Sequence, residues 1–234
     1  MLELDNVTAG YRPGVTVVQA ISFTVEPGAA VGLIGRNGAG KTCLAEAVIG
    51  NLPVTAGAVK VGGVDVTSKR TIGRVRNGLS LVPEGRLIFG QLTVQENLEM
   101  ASFGAGRKLT KMELQNVEDL FPTLARKRDD PAATMSGGEQ QWLAIARALV
   151  QNPVAIVLDE PSLGLSPVAI DQLAIALKEI RDGGVALILM EQNPHLLEEL
   201  CEVTLLLDQG RIASSVDLSS EYGSELVEQA YLGS

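Results

Sequence analysis

Apolar and polar positions alternate through residues 2–25, most plainly in Ile21-Ser22-Phe23-Thr24-Val25. With the β-branched run Val15-Thr16-Val17-Val18, the pattern predicts short strands in an antiparallel layer. A second strand pair is expected over residues 58–66, with Gly62-Gly63 as its turn. Other runs are apolar throughout: Ala30-Val31-Gly32-Leu33-Ile34, Leu79-Ser80-Leu81-Val82, Val154-Ala155-Ile156-Val157-Leu158, Val185-Ala186-Leu187-Ile188-Leu189-Met190 and Val203-Thr204-Leu205-Leu206-Leu207. Such runs suit strands buried on both faces, and helices near 167–181 and 194–200 alternate with the last three. From about residue 93 to 149 the period becomes helical, over 94–100, 111–121 and 139–149. The expected architecture is a layered α/β core with a parallel or mixed sheet, an N-terminal antiparallel β layer and a helical insert near 86–150, all within one domain over 1–234.

Chemistry enters at Gly35-Arg36-Asn37-Gly38-Ala39-Gly40-Lys41-Thr42, a G-x-x-x-x-G-K-T sequence between the run ending at Ile34 and the helical Cys43-Leu44-Ala45-Glu46-Ala47-Val48-Ile49. Glycines let the backbone wrap closely round a phosphate chain, so that successive N–H groups point at its oxygens and the following helix adds its positive end. Lys41 can reach β- and γ-phosphates, and the Thr42 hydroxyl suits Mg²⁺. The strand before and the helix after separate this motif from an ordinary glycine-rich turn. The chain therefore reads as a P-loop NTPase core that binds a nucleoside triphosphate.

A net charge of −9 disfavours gripping nucleic acid or anionic lipid by bulk electrostatics. Two cysteines, Cys43 and Cys201, are too few for a disulfide framework and sit in no metal-ligand spacing, which points to a reducing compartment. The start, Met1-Leu2-Glu3-Leu4-Asp5, is acidic where a secretion signal is basic, and no stretch approaches the ~18 apolar residues of a membrane span. A soluble protein is expected, one that meets a membrane only through a partner.

Two further segments carry charge chemistry. The run Val154–Leu158 closes on Asp159-Glu160. Alone, such a pair is more often a solvated strand edge. Beside a phosphate loop, the first acid can hold Mg²⁺, usually through water, and the second can orient or deprotonate an attacking water. Ser136-Gly137-Gly138-Glu139 opens the last helix of the insert and offers unpaired N–H groups to an anion. The plainer alternative is an N-cap with Glu139 in the first turn. Two phosphate-binding devices in one chain suggest a site completed by another subunit.

Taken together, these motifs resemble those of the ATP-binding-cassette (ABC) ATPases, over essentially the whole chain. Residues 35–42 match the Walker A motif, 156–160 Walker B with its catalytic Glu160, and 135–139 the family signature, with Met135 for the usual Leu. The resemblance implies that two cassettes pair head to tail, each nucleotide lying between one phosphate loop and the other subunit's signature, so that Ser136, Gly137, Gly138 and Glu139 serve the partner's ATP. It also implies that Tyr11 stacks on adenine, a surface or core tyrosine being the alternative. Glu84 stands where most cassettes have a Gln that touches Mg²⁺ and the transmembrane partner. Gln192 takes the switch-histidine position, where it can donate a hydrogen bond to a γ-phosphate but cannot carry a proton. Cys43 replaces a hydroxyl that often meets the α-phosphate, and Ser166 an acid common after Walker B. His195, the only histidine, reads as a surface or helix-start residue. These departures bear on hydrolysis rate more than on ATP binding.

The segments Leu81-Val82-Pro83-Glu84-Gly85-Arg86, Leu92-Thr93-Val94-Gln95-Glu96-Asn97-Leu98, Glu160-Pro161-Ser162-Leu163-Gly164-Leu165-Ser166-Pro167, Met190-Glu191-Gln192-Asn193 and Tyr231-Leu232-Gly233 are similar to the smaller ATPase subunit of branched-chain amino acid importers. That narrower resemblance implies ATP and Mg²⁺ as cofactors and a related, larger cassette as partner. It further implies permease subunits contacted through residues 84–97, a solute-binding protein reached indirectly, no nucleic acid, and a place at the cytoplasmic face of the cell membrane. Importers of urea, other amides or other amino acids stay open as alternatives, as does a soluble ATPase of iron–sulfur assembly. A non-hydrolysing regulatory module is a further alternative, against which the intact Asp159-Glu160 pair argues.

Overall fold

The computed structural model describes residues 1–12, 15–220 and 223; Tyr231, Leu232 and Gly233 lie outside the described residues. The alternating N-terminal segments form β1 (Leu2–Ala9) and β2 (Val18–Val25), followed by the fully buried β3 (Ala30–Ile34). Strands β4 (Val54–Val61) and β5 (Val64–Asp65) complete an antiparallel sheet of order β2-β1-β4-β5, with Leu4 opposite Phe23 on one side and Val59 on the other. Register shifts at Asn6 and Ala20, both at positive φ, break the strict alternation and turn Val7 and Ile21 inward. Gly57 is required there, because a Cβ on it would lie 2.2 Å from the Asn6 carbonyl oxygen.

Residues 15–17 do not extend β2 as their β-branching predicts. Val15 instead closes a loop through its N–H to the Arg12 carbonyl at 3.0 Å, and its own carbonyl presses on Gly10. Tertiary closure outweighs local propensity at this point.

The second sheet contains β6 (Leu79–Val82), β7 (Ala155–Asp159), β8 (Ala186–Glu191), β9 (Val203–Asp208) and β10 (Arg211–Val216). Its order is β10-β9-β3-β8-β7-β6; β9 to β6 run parallel and β10 antiparallel, so the sheet is mixed. Within β7, Ala155 and Val157 join the apolar cluster shared with the antiparallel layer and α1 (Lys41–Ile49), whereas Ile156 and Leu158 join the opposite one. Burial on both faces explains the unbroken apolar runs.

Helix α2 (Thr71–Arg76) precedes β6, and α3 (Val94–Gly104), α4 (Lys111–Leu120), α5 (Pro122–Arg126) and α6 (Gly137–Leu149) lie between β6 and β7. Thr93, Thr110 and Ser136 each open a helix with a complete capping box to the glutamate three residues on. Trp142, Leu143 and Ile145 of α6 pack in the same cluster as Leu173 and Leu177 of α7 (Pro167–Asp182) and Leu196 of α8 (Pro194–Leu200). No described helix is long and apolar enough to cross a membrane.

The C-terminal end of α1 is held by a buried cation. Arg74, 2% exposed, donates from Nη1 to the carbonyls of Ala47 and Val48, both at 2.7 Å, from Nη2 to Thr67 at 2.6 Å and from Nε to Lys69 at 3.1 Å. Burial lowers its pKa, yet a guanidinium stays charged, and four carbonyls replace the water it has lost. Arg74→Met, which leaves those acceptors buried and unpaired, should lower unfolding free energy by about 3 kcal/mol in urea titrations.

Candidate active site

The phosphate loop leaves the sheet at the C-terminal end of β3, with β8 beside it and β7 one strand further. Open α/β sheets bind ligands at such strand ends. Gly35 is fixed by close approach, since a Cβ there would meet the Leu207 carbonyl oxygen at 2.4 Å. Gly40, at φ 109°, caps α1 without a side-chain acceptor for the helix's first N–H groups. Ala39 is buried under the loop.

Lys41 is 5% exposed. Its ammonium donates to the Gly35 carbonyl at 2.6 Å and lies 3.4 Å from Glu160 Oε1. The same Glu160 oxygen accepts from Gln192 Nε2 at 2.6 Å. Glu160 has left-handed backbone, φ 48°, and its N–H donates to the Met190 carbonyl at 2.8 Å. A non-glycine residue in that region is strained, and the pairing between β7 and β8 holds it there. A cleft of about 430 Å³ brings Arg36, Asn37, Gly38, Lys41, Thr42 and Cys43 together with Glu84, Glu160 and Gln192. The acids of one strand end and the amide of another thus reach the loop from separate parts of the sequence.

Asp159 is 2% exposed; the Thr42 hydroxyl donates to its carboxylate, and its Oδ1 is buried with no hydrogen-bond partner. Burial pushes its pKa up to about 6, with the charges of Glu160 and Glu84 adding to the rise and Thr42 and Lys41 opposing it. Asp159, Thr42 and Glu84 offer hard oxygen donors. Among the described residues no group of three or more His, Cys, Asp or Glu side chains is placed to hold a metal unaided. A cation there must draw further oxygens from phosphate or water, which fits Mg²⁺.

Tyr11 stands at the outer edge, its ring largely exposed and its hydroxyl 3.1 Å from Cys43 Sγ. The signature residues do not join this cleft within the chain. Ser136 Oγ accepts from the Glu139 N–H at 3.4 Å, while Glu139 Oε2 accepts from the Ser136 N–H and from Lys127 Nζ, both at 2.7 Å. The plainer cap is therefore realised. Lys127, before the backbone bonds, holds the Glu139 carboxyl below its usual range, although partial burial opposes this. Ser166 likewise caps its helix by accepting from Ala169 N–H. His195 is exposed at the start of α8, 3.6 Å from Glu199.

Two residues that the sequence motifs include without a role in nucleotide chemistry belong to this region. Arg86, at φ 67°, has its guanidinium against Gly137, and Glu191 is a buried acid at the end of β8. The sign that marks Asp159, an acid closing an apolar run, is equally present at Glu191.

A phosphate loop on the central strand, a buried acid facing its threonine and a second acid held between lysine and an amide define a nucleotide-hydrolase site. Residues 18–163 match the ABC transporter family. The chain is 36% identical over 233 residues to the high-affinity branched-chain amino acid transport ATP-binding protein BraG of Pseudomonas aeruginosa, covering 100% of both chains. It is 31% identical over 235 residues to the lipopolysaccharide export system ATP-binding protein LptB of Escherichia coli strain K12, covering 99% of this chain and 97% of that one. Its fold matches a solved dimeric ATP-binding cassette bound to ADP and Pi with a TM-score of 0.81 at 22% identity, over 93% of this chain and 99% of that one. The chain belongs to the ATP-binding subunits of ABC transporters, ATPases that couple ATP hydrolysis to transport.

Because burial raises the folded-state pKa of Asp159, its contribution to stability is full below about pH 4 and is lost as pH rises through about 6. Asp159→Asn should therefore stabilise the nucleotide-free protein by roughly 3 kcal/mol at pH 7.5. The gain should vanish near pH 4 in paired denaturation curves.

Proposed function

We propose that this chain is the ATP-hydrolysing subunit of a branched-chain amino acid importer, held at the cytoplasmic face of a cell membrane by permease subunits. The observation that carries the site's part of this reading is the pair of contacts that Glu160 makes with Lys41 and with Gln192, beside the orphaned oxygen of Asp159. An entering triphosphate takes over Lys41 from Glu160 and the Gly35 carbonyl, and the loop N–H groups receive the remaining phosphate oxygens. Glu160, still oriented by Gln192, is then free to accept a proton from the attacking water. Thr42, Asp159 and Glu84 hold Mg²⁺, which when bound neutralises charge on the phosphates. Tyr11 stacks on adenine, and Cys43 supplies a weaker donor near the α-phosphate than a hydroxyl would.

The unit that moves is one nucleotide-binding domain, with the helices between residues 86 and 150 as its subdomain. It pairs head to tail with a second, related cassette. In that pair Ser136, Gly137, Gly138 and Glu139 face the partner's nucleotide. Since the Glu139 carboxylate is engaged by Ser136 and Lys127, the signature offers its hydroxyl and N–H groups, not a negative charge. Residues 84–97 meet the permease. The full-length likeness to BraG supports branched-chain amino acids as the solute. Lipopolysaccharide export is the second reading, favoured by the likeness to LptB over 99% of the chain.

Purification of the tagged chain from detergent-solubilised native membranes tests these readings. Recovery of a second cassette with two permease subunits, and loss of leucine uptake on deletion, is the expected result. Recovery with an envelope lipid exporter would move the assignment to the second reading, and soluble partners alone would overturn both. Within the purified complex, Glu160→Gln should lower turnover by ~10²–10⁴-fold with ATP binding retained, measured as phosphate release and nucleotide affinity.

A further inference from the structure

Glu191 occupies a place that the mechanism above leaves unused. It ends β8 directly opposite Ile34, the last residue before the phosphate loop, and follows Met190, the β-partner of Asp159. Glu191 is 2% exposed. Its Oε1 accepts from the Ser162 N–H at 2.9 Å, in the loop after Glu160, and its Oε2 accepts from the Gln192 N–H at 3.2 Å. The Ser162 hydroxyl and the Asn193 N–H bond to the same carboxylate. One buried side chain thus joins the backbone following β7 to the backbone following β8.

These contacts close a circuit around the reacting end of the site. Glu160 N–H donates to the Met190 carbonyl, Ser162 N–H to Glu191, Gln192 N–H to Glu191, and the Gln192 amide to the Glu160 carboxylate. Glu160 and Gln192, two of the three side chains joined at Glu160 Oε1, hang from backbone that Glu191 holds. We propose that Glu191 is a positioning residue for hydrolysis: by gripping Ser162 and Gln192 together, its carboxylate fixes the Gln192 amide on Glu160 and keeps the strained Glu160 backbone in place. A carboxylate suits this task because its two oxygens accept from both segments at once, whereas an amide presents one acceptor and a donor that opposes an N–H. Burial raises the Glu191 pKa and the surrounding N–H and O–H donors oppose the rise, as for an acid retained in the interior for its acceptors. The inference rests on the ATPase reading and adds to it a residue outside the lining of the nucleotide cleft.

The test compares wild type, Glu191→Gln, Glu191→Asp, Gln192→Ala and the Glu191→Gln/Gln192→Ala double variant, each within the purified complex with ATP and Mg²⁺. Steady-state kinetics, melting temperature and hydrogen exchange of peptides covering residues 159–166 and 190–196 are the readouts. Glu191→Gln should lower kcat about tenfold, the effect of one buried N–H left without its acceptor, with KM changed less than twofold and the melting temperature lowered by no more than about 5 °C. Exchange should quicken in both peptides together, Glu191→Asp should recover part of kcat, and Glu191→Gln should cost less than twofold once Gln192 is gone. Unchanged kcat and exchange in Glu191→Gln, or losses that multiply in the double variant, would overturn the proposal while leaving the ATPase reading intact. A larger fall in melting temperature with kcat and KM altered together would also overturn it, marking Glu191 as a fold residue alone. If wild type releases no phosphate, the ATPase reading fails, and coupled exchange of the two peptides still decides whether the clamp exists.

Discussion

A buried ammonium has to be balanced, and the site is arranged around that need at Lys41. With 5% of its surface exposed, Lys41 depends on the Gly35 carbonyl and the Glu160 carboxylate for what water would otherwise supply. Phosphate oxygens are acceptors that can meet the same need. The position of β3 between β8 and β9 makes this possible, because the loop that carries Lys41 emerges beside the strand ends that carry the acids and the amide. Packing on both faces of the sheet then fixes those ends relative to one another.

The same logic separates the roles of the acids. Asp159 is buried, with a neutral donor at Thr42 and no partner on one oxygen, an arrangement suited to receiving a cation. Glu160 lies one residue on, turned by its left-handed backbone into the cleft and shared between a lysine and an amide. Glu191 is enclosed by backbone donors and faces neither. Three carboxylates within two adjacent strand ends therefore differ in environment because their hydrogen-bond partners differ.

The central features were legible in the chain itself. The glycine spacing of residues 35–42, the acids closing β7, the unbroken apolar strands and the capping pair of Ser136 and Glu139 are local patterns with local causes, and the structure contains each of them. What escaped depends on distant neighbours. Strand β10 has a weak pattern of small and polar residues and exists because the tight Gln209-Gly210 turn, both residues at positive φ, folds it back on β9. Helix α5 is only five residues long and begins at a proline. Arg74 looks like one surface arginine among several, and its burial follows from the packing of α2 on α1. Glu191 was overlooked because its partners, Ser162 and Gln192, come together only when β7 and β8 pair.

The left-handed backbone at Glu160 ties the orientation of that carboxylate to the fraying of two strand ends. Its geometry is maintained by its own N–H bond to Met190, by the Leu163 N–H bond to its carbonyl and by neighbours on the next loop, whereas the apolar clusters on either face of the sheet are extensive. Local opening at the strand ends therefore requires far less free energy than global unfolding. Heat therefore loosens the rim of the sheet before it melts either core.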